Sequence, residues 1–245
     1  MEKSLLIDIS KCLSCYSCTV ACKMANGVAK GSFRTFVYPY ESGTYPDVRI
    51  NYIKHACKHC KEPACVTACP VGALYITKDG TIEYNSKKCI GCRYCMYACP
   101  FSVPIFEWQK SQLEKPIIQK CDFCANRIDS GKDPACAQAC PFGAIKYGER
   151  DKMLEEARLR IQKRPGFYIN HIYGEKEVGG TSVLYLSSRP FSEVALADVG
   201  TKPVTTRSYA SMGGMLPGVT ILALFLAGIR WVSNRREELS KGKEE

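Results

Sequence analysis

Sixteen cysteines, all between Cys12 and Cys140, are the chemically distinctive residues of this 245-residue chain, and they fall into four groups of four. The first is Cys12, Cys15, Cys18 and Cys22; the second Cys57, Cys60, Cys65 and Cys69. The third is Cys89, Cys92, Cys95 and Cys99; the fourth Cys121, Cys124, Cys136 and Cys140. Groups one and three read C-x2-C-x2-C-x3-C, a spacing that lets one loop present three soft thiolates to the irons of a cubane. Groups two and four keep the opening C-x2-C and the closing C-x3-C but lengthen the middle gap. No cysteine is left over. A disulfide scaffold requires paired thiols but not this spacing. A zinc site joins two C-x2-C units per ion, which leaves three-cysteine runs closed by a fourth unexplained.

The rest of the sequence offers little other chemistry. There is no glycine-rich dinucleotide loop, no triad-like set and no molybdenum or flavin signature, so the chain reads as non-catalytic on its own. The histidines are His55, His59 and His171. His59 precedes Cys60 and fits either a structural role or a hydrogen bond to a cluster, the structural role being favoured. Lys11, Lys88 and Lys120 each precede the first cysteine of a group. There a cation would favour the reduced cluster, though a surface lysine explains the position equally well. The net charge of +10 comes without a nucleic-acid-binding signature. Four thiolate-held cubanes, at about two negative charges each, would nearly cancel it.

These groups need short connecting elements. Residues 4–9 read as a strand leading into group one, and the run from Cys18 to Ala25 as a short helix. Residues 32–54, rich in Tyr, Phe, Val and Ile with turn signals at 41–47, predict a β-hairpin. Residues 73–77 and 81–84 flank Lys78-Asp79-Gly80 and predict a second hairpin between groups two and three. Pro70, Pro100 and Pro141 follow three closing cysteines, but Lys23 follows Cys22, which predicts a different exit turn there. Residues 151–164 predict a helix with Met153, Leu154, Ala157 and Ile161 on one face, ended by Pro165-Gly166. Residues 167–187 are strand-like and broken by Gly174 and Gly179-Gly180.

Residues 208–229 carry no charge. At 1.5 Å per residue they would span about 33 Å, enough for a bilayer core. Arg207 and Arg230 bracket the run, Trp231 suits an interface, and Gly213, Gly214, Gly218 and Pro217 lie near its start. A buried core helix is the competing reading. Arg230, Arg235, Arg236, Lys241 and Lys243 follow it, against Lys202 and Arg207 before it. The positive-inside rule then puts the tail in the cytoplasm and the cysteine domain outside. The N-terminus shows no apolar h-region or twin arginine, so export would rely on a partner that bears a signal.

The runs CKHCKEPACVTACPVGAL, CIGCRYCMYACPF and KCDFCANRIDSGKDPACAQACPFGAI, with YGEKEVGGTSVLYLS downstream, resemble the four-cluster electron-transfer subunits of membrane-bound respiratory oxidoreductases. The β subunit of formate dehydrogenase N and the four-cluster subunit of hydrogenase 2 are of this type. The resemblance implies an α+β fold. Two pseudo-symmetric dicluster-ferredoxin units would be nested in one domain, with a single C-terminal transmembrane helix. Residues 1–148 would form the cluster domain, with an inner unit at 55–103. Residues 149–190 would pack on it, 191–207 link, 208–232 span the membrane and 233–245 form a charged tail.

It also implies four [4Fe-4S] clusters, each completed by the closing cysteine of another group. One set is Cys57, Cys60, Cys65 and Cys99; a second is Cys89, Cys92, Cys95 and Cys69. The outer sets are Cys12, Cys15, Cys18 with Cys140, and Cys121, Cys124, Cys136 with Cys22. The implied partners are a molybdopterin or nickel–iron catalytic subunit, a quinone-reactive or cytochrome b membrane subunit and the lipid bilayer, with no nucleic acid. The alternative is a polysulfide or sulfoxide reductase, with electrons running toward the catalytic subunit. The hydrogenase-type relatives usually carry a twin-arginine signal, a departure that leaves formate and hydrogen both open.

Overall fold

The computed structural model describes residues 2–107 and 117–241, with side chains described for all of these except 117, 207–217 and 237–241. The chain divides into two compact units, one ending at Pro203 and one beginning at Val204.

The first unit is organised on a three-stranded sheet. Strand β1 (Lys3–Asp8) lies at its centre, antiparallel to β8 (Ile145–Glu149) and parallel to β9 (Val183–Leu186). A central strand covered on both faces needs apolar residues throughout, and Leu5, Leu6, Ile7, Leu184, Tyr185 and Leu186 are all buried. The faces alternate as strand geometry requires. Leu6, Leu184 and Leu186 pack with Leu154 and Ala157 of helix α6 (Arg150–Lys163), while Ile7 lines a cavity among the cysteines of groups one and four. Met153 and Ile161 complete the apolar face expected of α6.

Three two-stranded ribbons carry the rest: β2 (Thr35–Ser42) with β3 (Arg49–Ala56), β4 (Leu74–Ile76) with β5 (Ile82–Tyr84), and β6 (Ile105–Glu107) with β7 (Ile117–Gln119). The first two match the expected hairpins. Gly80 turns the second with φ of 78°, a value glycine adopts without steric cost. Strand β8 and the β6–β7 ribbon were not foreseen. Of the strand-like stretch 167–187 only β9 is a strand, since Gly174, Gly179 and Gly180 sit at positive φ and break the ladder.

Five short helices carry cysteines or lie beside them: α1 (Ser17–Ala25), α2 (Ala64–Thr67), α3 (Tyr94–Ala98), α4 (Ala125–Asp129) and α5 (Ala135–Gln138). Helix α1 packs on α5, and α2 packs on α3. A second core joins Cys65, Cys89 and Cys95 to Ala73, Leu74, Ile82, Phe106 and Ile118.

The second unit is one helix, α7 (Val204–Lys241). It begins ahead of the boundary expected at 208, inside the stretch read as a linker, and it carries the expected tail in helical form as far as Lys241. Residues 242–245, including Lys243, lie outside the described residues. Val219, Ile221, Leu222, Leu224, Phe225, Leu226 and Ile229 are exposed on it. Among the residues whose side chains are described, which leave out 207–217 of α7, no helix is long and apolar enough to cross a membrane.

Candidate iron–sulfur centres

The four cysteine groups share a backbone device. The residue two places after each group's first cysteine has positive φ: Ser14 at 56°, His59 at 47°, Gly91 at 74° and Phe123 at 63°. Only the third site uses glycine, so three side chains hold a conformation disfavoured for L-residues, a cost that persists where surrounding contacts enforce it. The reward is visible at two of them, where this turn aims an amide back at the first sulfur. Gly91 N–H donates to Cys89 Sγ at 3.4 Å and Phe123 N–H to Cys121 Sγ at 3.4 Å.

The groups then diverge in pairs. In groups one and three the following helix starts from a left-handed residue, Tyr16 or Arg93. In groups two and four the lengthened gap ends in Pro63 or Pro134, whose fixed φ starts α2 and α5. The closing turns also fall into two kinds. After Cys69, Cys99 and Cys140 the chain makes a β-turn whose fourth residue, Gly72, Ser102 or Gly143, has positive φ and donates N–H to the cysteine carbonyl. After Cys22, where no proline stands, the helix runs on and Asn26 N–H donates to Cys22 O at 3.2 Å. The different exit expected at Cys22 is present.

Electrostatic proximity shows which thiols the fold gathers. Burial pushes Cys12 and Cys18 up, and both feel Cys140. Cys12, Cys15, Cys18 and Cys140 also line one cavity with Ile7, Lys54 and Phe142. Burial raises Cys22 to about 12, with Cys136 and Cys124 adding to the push, and raises Cys121 well above its ordinary value with help from Cys22 and Cys136. Cys60 is raised by burial and by Cys57, Cys99 and Cys65, and Cys65 to about 12 by burial and by Cys57. Cys95 rises to about 11 through burial and through Cys89, Cys69 and Cys92. Two further electrostatic influences run between these gatherings: Cys121 feels Cys57, and Cys65 feels Cys95. Cys15 and Cys92 are exposed.

Two closing thiols have amides around them. Burial works to raise Cys69, but the N–H groups of Leu74, Ala73, Val71 and Gly72 outweigh it and hold the thiol below its ordinary value. Ala73 N–H reaches Cys69 Sγ at 3.2 Å. At Cys99 burial prevails and the thiol is raised, against the amides of Val103 and Phe101.

Buried cations complete the environment. Lys54 is 2% exposed, and Lys58 equally so. Burial opposes the charge of Lys54, but Cys136, Cys121, Tyr185 and Cys18 more than offset it and raise its pKa. Burial draws Lys58 down to about 7, and its Nζ donates to Tyr185 Oη. Lys120 is buried too, donating to the carbonyls of Ile82 and Cys121, whereas Lys11 and Lys88 are exposed. Only one of the three lysines singled out by position is thus placed to act on a buried site. Lys54 lies on β3 and Lys58 just beyond it, beside Cys57, in a strand that also carries Arg49, Asn51 and His55, so neither lysine has a distinguishing signal in the sequence alone. His59 is fully buried, accepts Ile82 N–H at Nδ1 (3.0 Å) and stacks edge-on with Phe123. Its packing is structural, and its Nε2 has no hydrogen-bond partner among the described residues.

The donor set fits [4Fe-4S] clusters. It consists of thiols alone, nine of the sixteen buried, amid inward-pointing N–H donors and lysines. Among the described residues no three His, Cys, Asp or Glu side chains close on a single metal ion; a four-iron cage is held by thiols set wider apart.

Comparison with known proteins agrees. Residues 48–150 match the model of the 4Fe-4S dicluster domain. The chain is 31% identical to the hydrogenase-2 operon protein HybA of Escherichia coli O157:H7, over 92% of this chain and 82% of that protein. It is 33% identical to the nitrate-inducible formate dehydrogenase iron–sulfur subunit of Escherichia coli K12, over 76% and 68%. It is 36% identical to the thiosulfate reductase electron transfer subunit PhsB of Salmonella typhi, over 60% and 76%. The site and these matches define an iron–sulfur electron carrier of the ferredoxin-like dicluster class. More narrowly, the chain belongs to the family of iron–sulfur electron-transfer subunits found in hydrogenase, formate dehydrogenase and thiosulfate or dimethyl sulfoxide reductase complexes. It carries [4Fe-4S] clusters, and its sixteen cysteines are consistent with four.

Proposed function

We propose that this chain relays electrons from a formate dehydrogenase- or hydrogenase-type catalytic subunit to a quinone-linked membrane subunit, through four [4Fe-4S] clusters in two nested pairs. The outer pair is held by Cys12, Cys15, Cys18, Cys140 and by Cys22, Cys121, Cys124, Cys136. The inner pair is held by Cys57, Cys60, Cys65, Cys99 and by Cys69, Cys89, Cys92, Cys95. The observation that carries this reading is the proximity of closing cysteines to thiols of other groups, Cys140 to Cys12 and Cys99 to Cys57. Packing of α1 on α5 and of α2 on α3 supports the nesting. The electrostatic influence of Cys57 on Cys121 and of Cys95 on Cys65 supports the adjacency of three of these stations. Electrons would enter beside exposed Cys15 and leave beside exposed Cys92. Soft thiolates suit one-electron storage, and buried lysines offset the charge each electron adds.

The uncharged run at 208–229 and the exposed apolar side chains of α7 support a single membrane span. The excess of arginine and lysine after it supports a cytoplasmic tail and an extracytoplasmic cluster domain. A reporter fused to the C-terminus would be active only on the cytoplasmic side; activity outside would reverse the orientation. The reductase-type relative aligns over 60% of this chain and the hydrogenase-operon relative over 92%, which favours the hydrogenase or formate setting over the reductase alternative.

The test uses the assembled complex carrying Cys95→Ala. Formate or hydrogen should still reduce an artificial dye, while quinone reduction is lost. Unimpaired quinone reduction would remove the inner pair from the path.

A further inference from the structure

Cys22 is the closing cysteine that lacks the proline turn, and a side chain occupies the role that backbone amides fill at Cys69. Asn26 Nδ2 donates to Cys22 Sγ at 3.7 Å, to Cys124 Sγ at 3.9 Å and to Cys22 O at 2.8 Å. One amide thus touches sulfurs from group one and group four, far apart in sequence and in one proposed ligand set. The orientation of that amide is fixed by chemistry, because a guanidinium can only donate. Arg34 Nη1 donates to Asn26 Oδ1 at 3.0 Å, which leaves the Asn26 N–H groups aimed at sulfur. Arg34 is itself fixed by Asp122 and by Gln119 Oε1, the latter at 3.0 Å from its Nε. Asp122 Oδ1 in turn accepts the backbone N–H of Cys124 at 2.9 Å.

We propose that Asn26, positioned by Arg34, tunes the potential of the cluster held by Cys22, Cys121, Cys124 and Cys136. It would do so as a side-chain substitute for the missing closing-turn amides. Adding one electron to a cluster raises the negative charge on its sulfurs. An N–H donor on two of them is therefore strengthened by reduction and moves the potential upward. A helix C-cap alone, the plain alternative for Asn26, would affect stability and leave potentials where they are.

The inference rests on the four-cluster ligand sets proposed above. The experiment is a mediated redox titration, followed by electron paramagnetic resonance, of the anaerobically purified full chain, with iron counted in each sample. Wild-type protein with far fewer than about sixteen irons would sink the four-cluster reading itself, before any variant is compared. Given a full complement, Asn26→Leu should keep its iron and move one midpoint to more negative potential, the other three staying put. Asn26→Asp keeps the size and the Arg34 contact but replaces N–H donors with a carboxylate, so its shift should be larger in the same direction. Arg34→Lys should give a smaller negative shift. Four unchanged midpoints in a fully loaded Asn26→Leu protein would overturn the proposal. If that variant fails to load, Asn26→Asp decides on the same criterion. Loss of one cluster in both would also overturn it, making Asn26 an assembly element and not a tuning donor.

Discussion

Groups two and three lie side by side in the sequence and meet through α2 and α3, with the tight β4–β5 hairpin between them. Groups one and four meet through α1 and α5 from opposite ends of the domain, with the entire inner unit intervening. The inner pair is a local structure with its own apolar core around Leu74 and Ile82. The outer pair depends on long-range elements: β1 paired to β8, the α6 helix clamped across them, and the Lys54 cation on β3 among its thiols. The same cofactor chemistry is thus built once by neighbouring chain segments and once by closing a large loop. Loop closure costs entropy that later contacts must repay, so the outer pair should be where the domain is most easily undone.

The sharpest way to break this contrast is to remove one thiol from each half. Cys140→Ser should lose a cluster and loosen the whole domain, seen as lower iron content and rapid proteolysis. Cys69→Ser should lose a cluster with the domain still resistant. Equal proteolysis of the two would erase the distinction. The next effect concerns the clamp. Asp8, at the end of β1 just before group one, is fully buried and accepts Arg160 Nη1 at 2.9 Å and Tyr168 Oη at 2.8 Å. Arg160→Met leaves that carboxylate without its cation and should cost about 3 kcal/mol, measured as a fall in Tm with the outer clusters lost first. Lys54→Met should lower the outer midpoints more than the inner ones in a redox titration, because its charge acts on Cys18, Cys22, Cys121 and Cys136.

The smallest effect is at Glu156, held near 2 by hydrogen bonds from Lys146 and Arg160. A carboxylate whose folded pKa is depressed contributes stability above its ordinary value of 4.5 and loses it as pH falls toward 2. Its side chain is 33% exposed, so screening limits the gain. Glu156→Gln at neutral pH should cost under about 1 kcal/mol, a Tm change of at most about 4 °C.

Much of this was legible in the sequence because cysteine spacing and turn residues act locally. C-x2-C loops, the Asp79-Gly80 turn and the prolines after three closing cysteines each dictate a few dihedral angles, and the structure has them. The missing proline after Cys22 was readable as a different exit. Asn26 as its replacement was not, because that role depends on Arg34 and Asp122 arriving from elsewhere in the fold. Strand β8 is not legible in the sequence because IKYGE has an ordinary composition and becomes a strand only by pairing with β1. Lys54 carries no local signal of its role, because the thiols around it, Cys18, Cys121 and Cys136, are brought to it by long-range closure.

Iron and acid-labile sulfide, counted per chain in anaerobically purified protein, test the central claim most directly. Four clusters predict about sixteen of each. About eight of each, the content of an inner dicluster unit alone, would contradict the outer pair, and zinc in place of iron would contradict the electron relay altogether.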